Sequence, residues 1–429
     1  MSDSKNDAEW EKIFNKHKII ETVLAEGHFF INSSEINLFR EARLMTKFDH
    51  QSQLPKLFSK NKLSILPVSR GGYIIGTMET FHSFEETELN VTKIQFPDFL
   101  QSLNYKDISS EATAINCAFV SKILNEFTGE KELYPTVSGR MSSNSFNFNI
   151  NLLKGSMNIK VINSQIEIDG GYEGDNSLSL IEAKNYISND FLVRQLFYPY
   201  KLWINKVGKK IRPIFLTFTN GIFHLREYLF TDSDNYNSLQ LINERKYSIA
   251  EKDEEKINIE IIEKFLSKKI VISEPEIPFP QADSFDRVIN LCELLKQKNI
   301  LSKEEITLNY DFDSRQTDYY TNAAKYLGLV DQKKETGQII CFLTDKGKQI
   351  FGLSISRRQI EFVKLILSHN AFQKTLSLYL KKGNIPLKYE IVEIMKNCKL
   401  FNIDSEKTYS RRASTISGWI NWIMNLIEE

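Results

Sequence analysis

Apolar side chains recur at helical spacing between Glu9 and Ala25, at Trp10, Ile13, Phe14, Ile20, Val23 and Leu24, and predict one or two amphipathic helices closed near Gly27. A further helix is expected over residues 50–59. After it, KLSILPVSRGGYIIGTM predicts two short strands around a Gly-Gly turn, so residues 1–105 are expected to form a helix and hairpin module. Ser109 and Ser110 are good N-caps, and Ala112, Ile115, Phe119, Ile123, Leu124 and Phe127 then mark one face of a helix ending before Gly129. Three strand-like runs follow, FNFNINLL from Phe146, IKVINSQIEID from Ile159 and LSLIEAKN from Leu178. A helix is expected over residues 189–205, bent at Pro199, and then two strands flanking Asn220-Gly221, a strong hairpin signal. The order of residues 106–275 is therefore helix, three strands, helix, two strands.

Residues 251–281 form a charged segment ending in SEPEIPFPQ, whose prolines mark a linker. Leu291, Leu294, Leu295 and Ile300 lead into SKEEI, a helix start with acids in its first turn, and SRQTDYYTNAAKYLGLV is a second helix closed by Gly328. QKKETGQIICFLTDKGKQIF predicts a hairpin around Glu335-Thr336-Gly337. Helix, turn, helix and hairpin is the order of a winged helix, expected over residues 276–353. A helical, winged-helix-like unit is expected over residues 354–429, where Ile416, Trp419, Ile420 and Ile423 form an apolar stripe. Trp419 and Trp422 suit a core or a dimer seam better than a base-stacking platform.

The chain has 429 residues, 41% of them hydrophobic, which suits an α+β multidomain protein with more than one core. Lys plus Arg and Asp plus Glu number 55 each, so net charge does not announce a nucleic-acid partner and local arrangement must decide. Cys117, Cys292, Cys341 and Cys398 lie far apart with no C-x-x-C pair, and are expected to be reduced core residues. The polar, acidic start lacks the order of a secretory signal, and no uncharged run approaches the ~20 residues that span a bilayer. A soluble, cytoplasmic protein is expected. The histidines form no metal-binding spacing, and no G-x-S-x-G or Walker-type loop occurs.

Glu182-Ala183-Lys184 lies on an apolar strand, where i, i+2 spacing sends both charged side chains to one face. Asp169 is expected to end the preceding strand, with GGYEGDNS as a turn that pairs the two strands antiparallel and brings Asp169 near Glu182. Two such carboxylates make a hard-oxygen site suited to Mg²⁺, to which the Ala183 carbonyl could add a ligand. Phosphodiester hydrolysis needs charge neutralisation and a positioned water, and Lys184 would orient or deprotonate that water. The same residues also admit a plain Asp-Gly turn and a solvated edge-strand pair, and Glu167 and Glu173 are alternative acids nearby.

The helix, Asp169, the Glu182-Ala183-Lys184 strand and the helix after it resemble the PD-(D/E)xK nuclease pattern over residues 109–230. IEIDGGYEG, IEAKN and RQLFYPYKLW look most like type II restriction endonucleases that carry winged-helix domains. The resemblance implies a restriction-endonuclease-like α/β core (αβββαβ) and Mg²⁺-dependent, sequence-specific hydrolysis of double-stranded DNA to 5′-phosphate and 3′-hydroxyl ends. It also implies an acid on the helix before the sheet, best matched by Glu111, and a cognate DNA methyltransferase as functional partner. Ile168 stands where the family has proline, and Gln195 with Tyr198 does not reproduce the Q-x-x-x-Y spacing of RecB-type relatives. Gln195 is expected as an active-site neighbour.

Arg315, Gln316, Tyr319, Asn322 and Lys325 are expected on the outer face of the second winged-helix helix, where such side chains read base edges. Lys333 and Lys334 would contact phosphates from the wing, and Arg40, Arg43, Lys47, Arg70, Arg411 and Arg412 are further candidate DNA contacts. Cutting two strands needs two sites, so a homodimer is expected. The alternatives are a non-catalytic winged-helix transcriptional regulator, or a methylation-dependent or repair nuclease.

Overall fold

The strand Ser177–Lys184 is buried at every position because different helices cover its two faces. Ile181 and Ala183 pack with Ala114, Ile115, Cys117 and Ala118 of the helix Glu111–Val120, whereas Leu178 and Leu180 pack with Leu196 and Phe197 of the helix Arg194–Trp203. Two-sided burial explains a continuous apolar run where a half-exposed strand would alternate. This computed structural model describes residues 5–85, 87, 89–251, 255–268, 270–335, 337–403 and 405–427. The protein is mixed α+β and divides into two compact units, Met1–Phe218 with Ile222–Ile249, and Thr219–Gly221 with Ala250–Glu429.

In the first unit, Ser177–Lys184 pairs antiparallel with Gln165–Glu173 on one side and parallel with Lys210–Thr219 on the other, in a seven-stranded sheet. The helix Arg194–Trp203 lies in the crossover between the two parallel strands, as a parallel connection requires. A five-stranded sheet joins His28–Asn32 and the hairpin Ser64–Ser69 with Gly72–Gly76 to Ser156–Ile162 and Ser145–Asn151. The expected break near residue 105 thus lies within one compact unit, and the N-terminal hairpin shares its sheet with strands of the middle segment.

Several elements differ from expectation at residues in the left-handed region. The helix expected up to Gly129 is two helices, Glu111–Val120 and Ile123–Thr128, interrupted at Lys122 (φ 66°), and Ala112 is exposed. IKVINSQIEID contributes to two strands in different sheets, turned at Asn163 (φ 53°). Lys18 (φ 50°) separates Lys5–His17 from Ile19–Glu26, which buries Ile19 and Val23 and leaves Leu24 exposed. Residues 50–59 form a 3-10 turn, Gln51–Gln53, and part of the helix Lys56–Lys60, which starts after Pro55. Asp190–Leu192, expected as helix, is extended and pairs with Phe81–Ser83. Asn220 (φ 48°) and Gly221 (φ 75°) make the expected turn between Lys210–Thr219 and Ile222–Phe230.

The strand carrying Asp169 does not end there but runs on to Glu173. Gly170 and Gly171 are therefore not turn residues; they permit close approach. A Cβ at Gly171 would lie 2.6 Å from Val137 Cβ on the neighbouring strand Tyr134–Ser142, and one at Gly170 would lie 3.2 Å from Ile115 Cγ2 on the helix above.

In the second unit, the helix Phe285–Lys298 is followed by the strand Ile300–Ser302, the helices Lys303–Asn309 and Ser314–Tyr326, and the hairpin Val330–Glu335 with Gln338–Leu343. Gln338–Leu343 is the central strand of this three-stranded sheet. Thr336, at the hairpin tip, lies outside the described residues. Five helices follow, ending with Glu406–Asn425, and the expected break after residue 353 again falls inside a unit. The Trp419 and Trp422 indoles donate to the Ala282 carbonyl and Asp286 Oδ1, at 2.7 and 3.1 Å, as core residues would. The cysteines are free, with Cys117, Cys292 and Cys341 buried and Cys398 half-buried. Among the described residues, no helix is long and apolar enough to cross a membrane.

Gly171→Ala is expected to destabilise the protein by about 1–3 kcal/mol through overpacking against Val137. Gly208→Ala, where an added Cβ meets nothing within 4 Å, should change the urea midpoint little by comparison.

Candidate functional site

Glu182 and Lys184 continue the strand face that Leu178 and Leu180 bury, and are only 8% and 7% exposed. Charges on an otherwise apolar buried face need partners. Lys184 Nζ donates to Glu182 Oε1 at 2.6 Å, and Gln195 Nε2 donates to the same oxygen at 2.6 Å from the first turn of the crossover helix. Asp169 Oδ2 accepts the Ala183 N–H at 2.9 Å, just past Gly170 and Ile181, where the register between the two strands ends. Because the N–H and C=O of one strand residue point to the same side, the Ala183 carbonyl is directed toward Asp169 too. Glu111 opens its helix behind the Ser110 cap, with Oε1 4.0 Å from Lys184 Nζ. The five residues expected to carry the chemistry are therefore together.

Burial disfavours charge on the Glu182 carboxyl and raises its pKa, and the Lys184 ammonium 2.6 Å away is the largest influence pulling it back toward the ionised form. Burial likewise raises Asp169 and Glu111, again opposed by Lys184. For Lys184 itself burial disfavours the charge, but Glu182, Tyr186, Glu111 and Asp49 outweigh it and hold its pKa well above the usual lysine value. The amine is thus a cation and a donor. Asp49, which sequence reasoning missed, joins this group: burial raises its pKa, but Lys184, Lys47, His50 and Arg194 together hold it below the ordinary carboxylate value.

These side chains line a cleft of about 760 Å³. Its lining includes the acids Asp49, Glu111, Asp169 and Glu182, and cations enter it from Arg43, Lys47, Arg70, Arg140 and Arg194. Beside Glu182 and Gln195 lies a void of about 10 Å³, close to the smallest that admits one water. Gln195 Oε1 is buried without a hydrogen-bond partner. Among the described residues, no group of three or more His, Cys, Asp or Glu side chains is arranged to hold a metal ion.

The other expected contact residues fare differently. Arg43, Lys47 and Arg70 are exposed on the cleft, with Lys47 Nζ 3.7 Å from Asp49. Arg40 instead donates to Asn6 Oδ1 at 2.7 Å, inside the N-terminal segment. In the second unit Arg315 and Lys334 are exposed, whereas Tyr319 and Asn322 are half-buried. Gln316 Oε1 accepts the Asp313 N–H in a capping box, so its amide serves the helix start. Lys325 pairs with Asp331 at 3.3 Å and Lys333 with Glu335 at 3.2 Å. Arg411 is exposed, and Arg412 is half-buried.

Residues 7–75, 76–248 and 287–428 match three family models, each described as a domain of unknown function, DUF6996, DUF6997 and DUF7226 respectively. No curated protein and no solved structure matches the chain. Asp49 lies in the first matched segment, and Glu111, Asp169, Glu182, Lys184 and Gln195 lie in the second.

Lys184→Met leaves the Glu182 carboxylate buried without its cation and is expected to destabilise the protein by about 3–5 kcal/mol. Adding Glu182→Gln to that variant should restore most of the loss, read as a double-mutant cycle of urea midpoints.

Proposed function

We propose that this chain is a Mg²⁺-dependent, sequence-specific endonuclease of the type II restriction kind. The observation that carries the reading is the convergence of Asp169, Glu182 and Lys184 from adjacent strands, with Glu111 and Gln195, in a cleft edged by arginines and lysines. The arrangement of helix, paired strands, crossover helix and parallel strand supports a PD-(D/E)xK core.

The donor set suits Mg²⁺, which keeps several waters and is held by one or two carboxylates and the substrate's own phosphate, not by a full protein cage. Asp169 and Glu182 would hold it with the Ala183 carbonyl, and the orphaned Gln195 Oε1 is a further oxygen close by. When bound, the ion supplies Lewis acidity at a phosphoryl oxygen and acidifies water. Lys184, held as a cation, is not the acceptor of the water's proton; it donates to the phosphate, stabilising negative charge as it builds. Gln195 fixes the Glu182 carboxylate. Arg43, Lys47, Arg70, Arg140 and Arg194 supply the positive edge that a phosphate backbone requires.

In the second unit, the order helix, strand, helix, helix, hairpin, with the last strand central, supports a winged-helix reading. Arg315, Tyr319 and Asn322 are its base-reading candidates, with Lys334 on the wing. Two copies act on one duplex, and a partner methyltransferase protects the host's sites.

Incubating the protein with plasmids of varied sequence and Mg²⁺ should give discrete fragments ending in 5′-phosphate. EDTA should abolish them, and Asp169→Ala should slow cutting by about 10²–10³-fold or more. Specific DNA binding with no cutting under any divalent cation would instead identify a DNA-binding regulator. Parallel methylated and unmethylated substrates separate a restriction enzyme from a methylation-dependent one.

A further inference from the structure

Of the cations on the cleft, Arg194 is held differently from the rest. Arg140 pairs with Glu167 at 3.2 Å and Lys47 faces Asp49 at 3.7 Å, while Arg43 and Arg70 are exposed. Arg194 is half-buried, and its Nε is shut away from water with no hydrogen-bond partner among the described residues. A half-buried cation with a dry donor costs the fold stability, because nothing in the protein replaces the water it has lost. Such a group calls for an explanation outside packing.

Its surroundings supply a platform in place of an acceptor. The guanidinium carbon lies 5.7 Å from the centre of the Tyr198 ring, one turn along the same helix and within the ~6 Å over which a cation is drawn to a ring face. Tyr198 is fully buried, packs edge-on against Phe146 at 5.2 Å and donates its hydroxyl to the Pro67 carbonyl at 2.9 Å. The ring is therefore fixed, and the guanidinium with it. With Nε sealed off, the terminal nitrogens Nη1 and Nη2 are left to a ligand in the cleft, and no hydrogen bond or salt bridge among the described residues engages them.

Helix geometry gives the direction in which this fork lies. Gln195 turns its amide to Glu182, whereas Arg194 lies over Tyr198 at i+4, on the flank of the helix that meets Pro67 of the hairpin Ser64–Ser69 with Gly72–Gly76. The fork thus stands to one side of Asp169, Glu182 and Lys184, in the cleft that all of them line. Two parallel N–H groups match two oxygens of one phosphate, and the anion beside a scissile phosphate on a DNA strand is another phosphate.

We infer that Arg194 seats the phosphate next to the scissile one on the cut strand, and is a positioning residue for cleavage, an inference that rests on the endonuclease reading above. The exposed Arg43 and Arg70 attract a duplex without fixing it. Arg194, set on its ring, holds the strand at one register.

The test uses the full chain and the variants Arg194→Met and Arg194→Lys. Binding of a fluorescein-labelled DNA duplex in EDTA is followed by anisotropy over a range of NaCl concentrations. The slope of log affinity against log salt should become shallower by about 0.9 in Arg194→Met, the loss of one phosphate contact, and stay at the wild-type value in Arg194→Lys, which keeps the charge. Single-turnover cleavage with Mg²⁺ at saturating DNA should fall by about 10²-fold in both variants, the scale of a misplaced reacting group, because lysine attracts the phosphate without the fork that orients it. A methylphosphonate at the linkage beside the cut should slow the wild type and leave Arg194→Met no slower than on unmodified DNA. Each protein is its own control in that comparison, so a loss of stability in the variant does not decide it. A wild-type salt slope in Arg194→Met, equal slowing of both proteins by the methylphosphonate, or wild-type cutting by Arg194→Lys overturns the inference. If the wild type binds DNA and cuts none, the endonuclease reading and the cleavage role fall together, while the salt slope still decides whether Arg194 holds a phosphate.

Discussion

The buried ion pair between Lys184 and Glu182 is the constraint around which the first unit is organised. Taking both charges out of water is expensive, and their attraction repays the cost only if the remaining donors and acceptors are also satisfied. The surroundings meet that demand: Gln195 donates to the carboxylate, Glu111 and Asp49 lie within electrostatic reach of the ammonium, and Asp169 is tied to the strand between them. A charged pair on a strand face otherwise given to leucine is a feature that packing alone does not call for.

Positioning these groups requires close packing around them. The strand bearing Asp169 must lie tight against both its neighbour and the helix that carries Glu111, and Gly170 and Gly171 make this approach possible. The parallel step from Ser177–Lys184 to Lys210–Thr219 places the start of the crossover helix beside Glu182, so Gln195 reaches the carboxylate from its first turn. Carboxylates outnumber the ammonium at the cleft floor while arginines and lysines stand around it, the charge segregation that a neutral total composition conceals.

The three matched segments do not correspond one to one with compact units. Residues 7–75 and 76–248 fold together, sharing a five-stranded sheet and a cleft, whereas residues 287–428 lie in the second unit. The first segment is therefore part of the site and not an accessory to it, since it contributes Asp49, Lys47 and Arg43 to the cleft wall.

By itself the sequence determined what is local. The i, i+2 spacing of Glu182 and Lys184, the antiparallel return that brings Asp169 to them, the Ser110 cap behind Glu111 and the Asn220-Gly221 turn all follow from strand periodicity and backbone preferences within a few residues. Tertiary structure decided what depends on distant contacts. No periodicity places Asp49 and His50 beside Tyr186 and Asp190, because that clasp is made of hydrogen bonds across more than a hundred residues. Nor could composition tell that Asp-Gly-Gly lies inside a strand, for glycine signals a turn and a close approach alike, and only the neighbours Val137 and Ile115 distinguish the two.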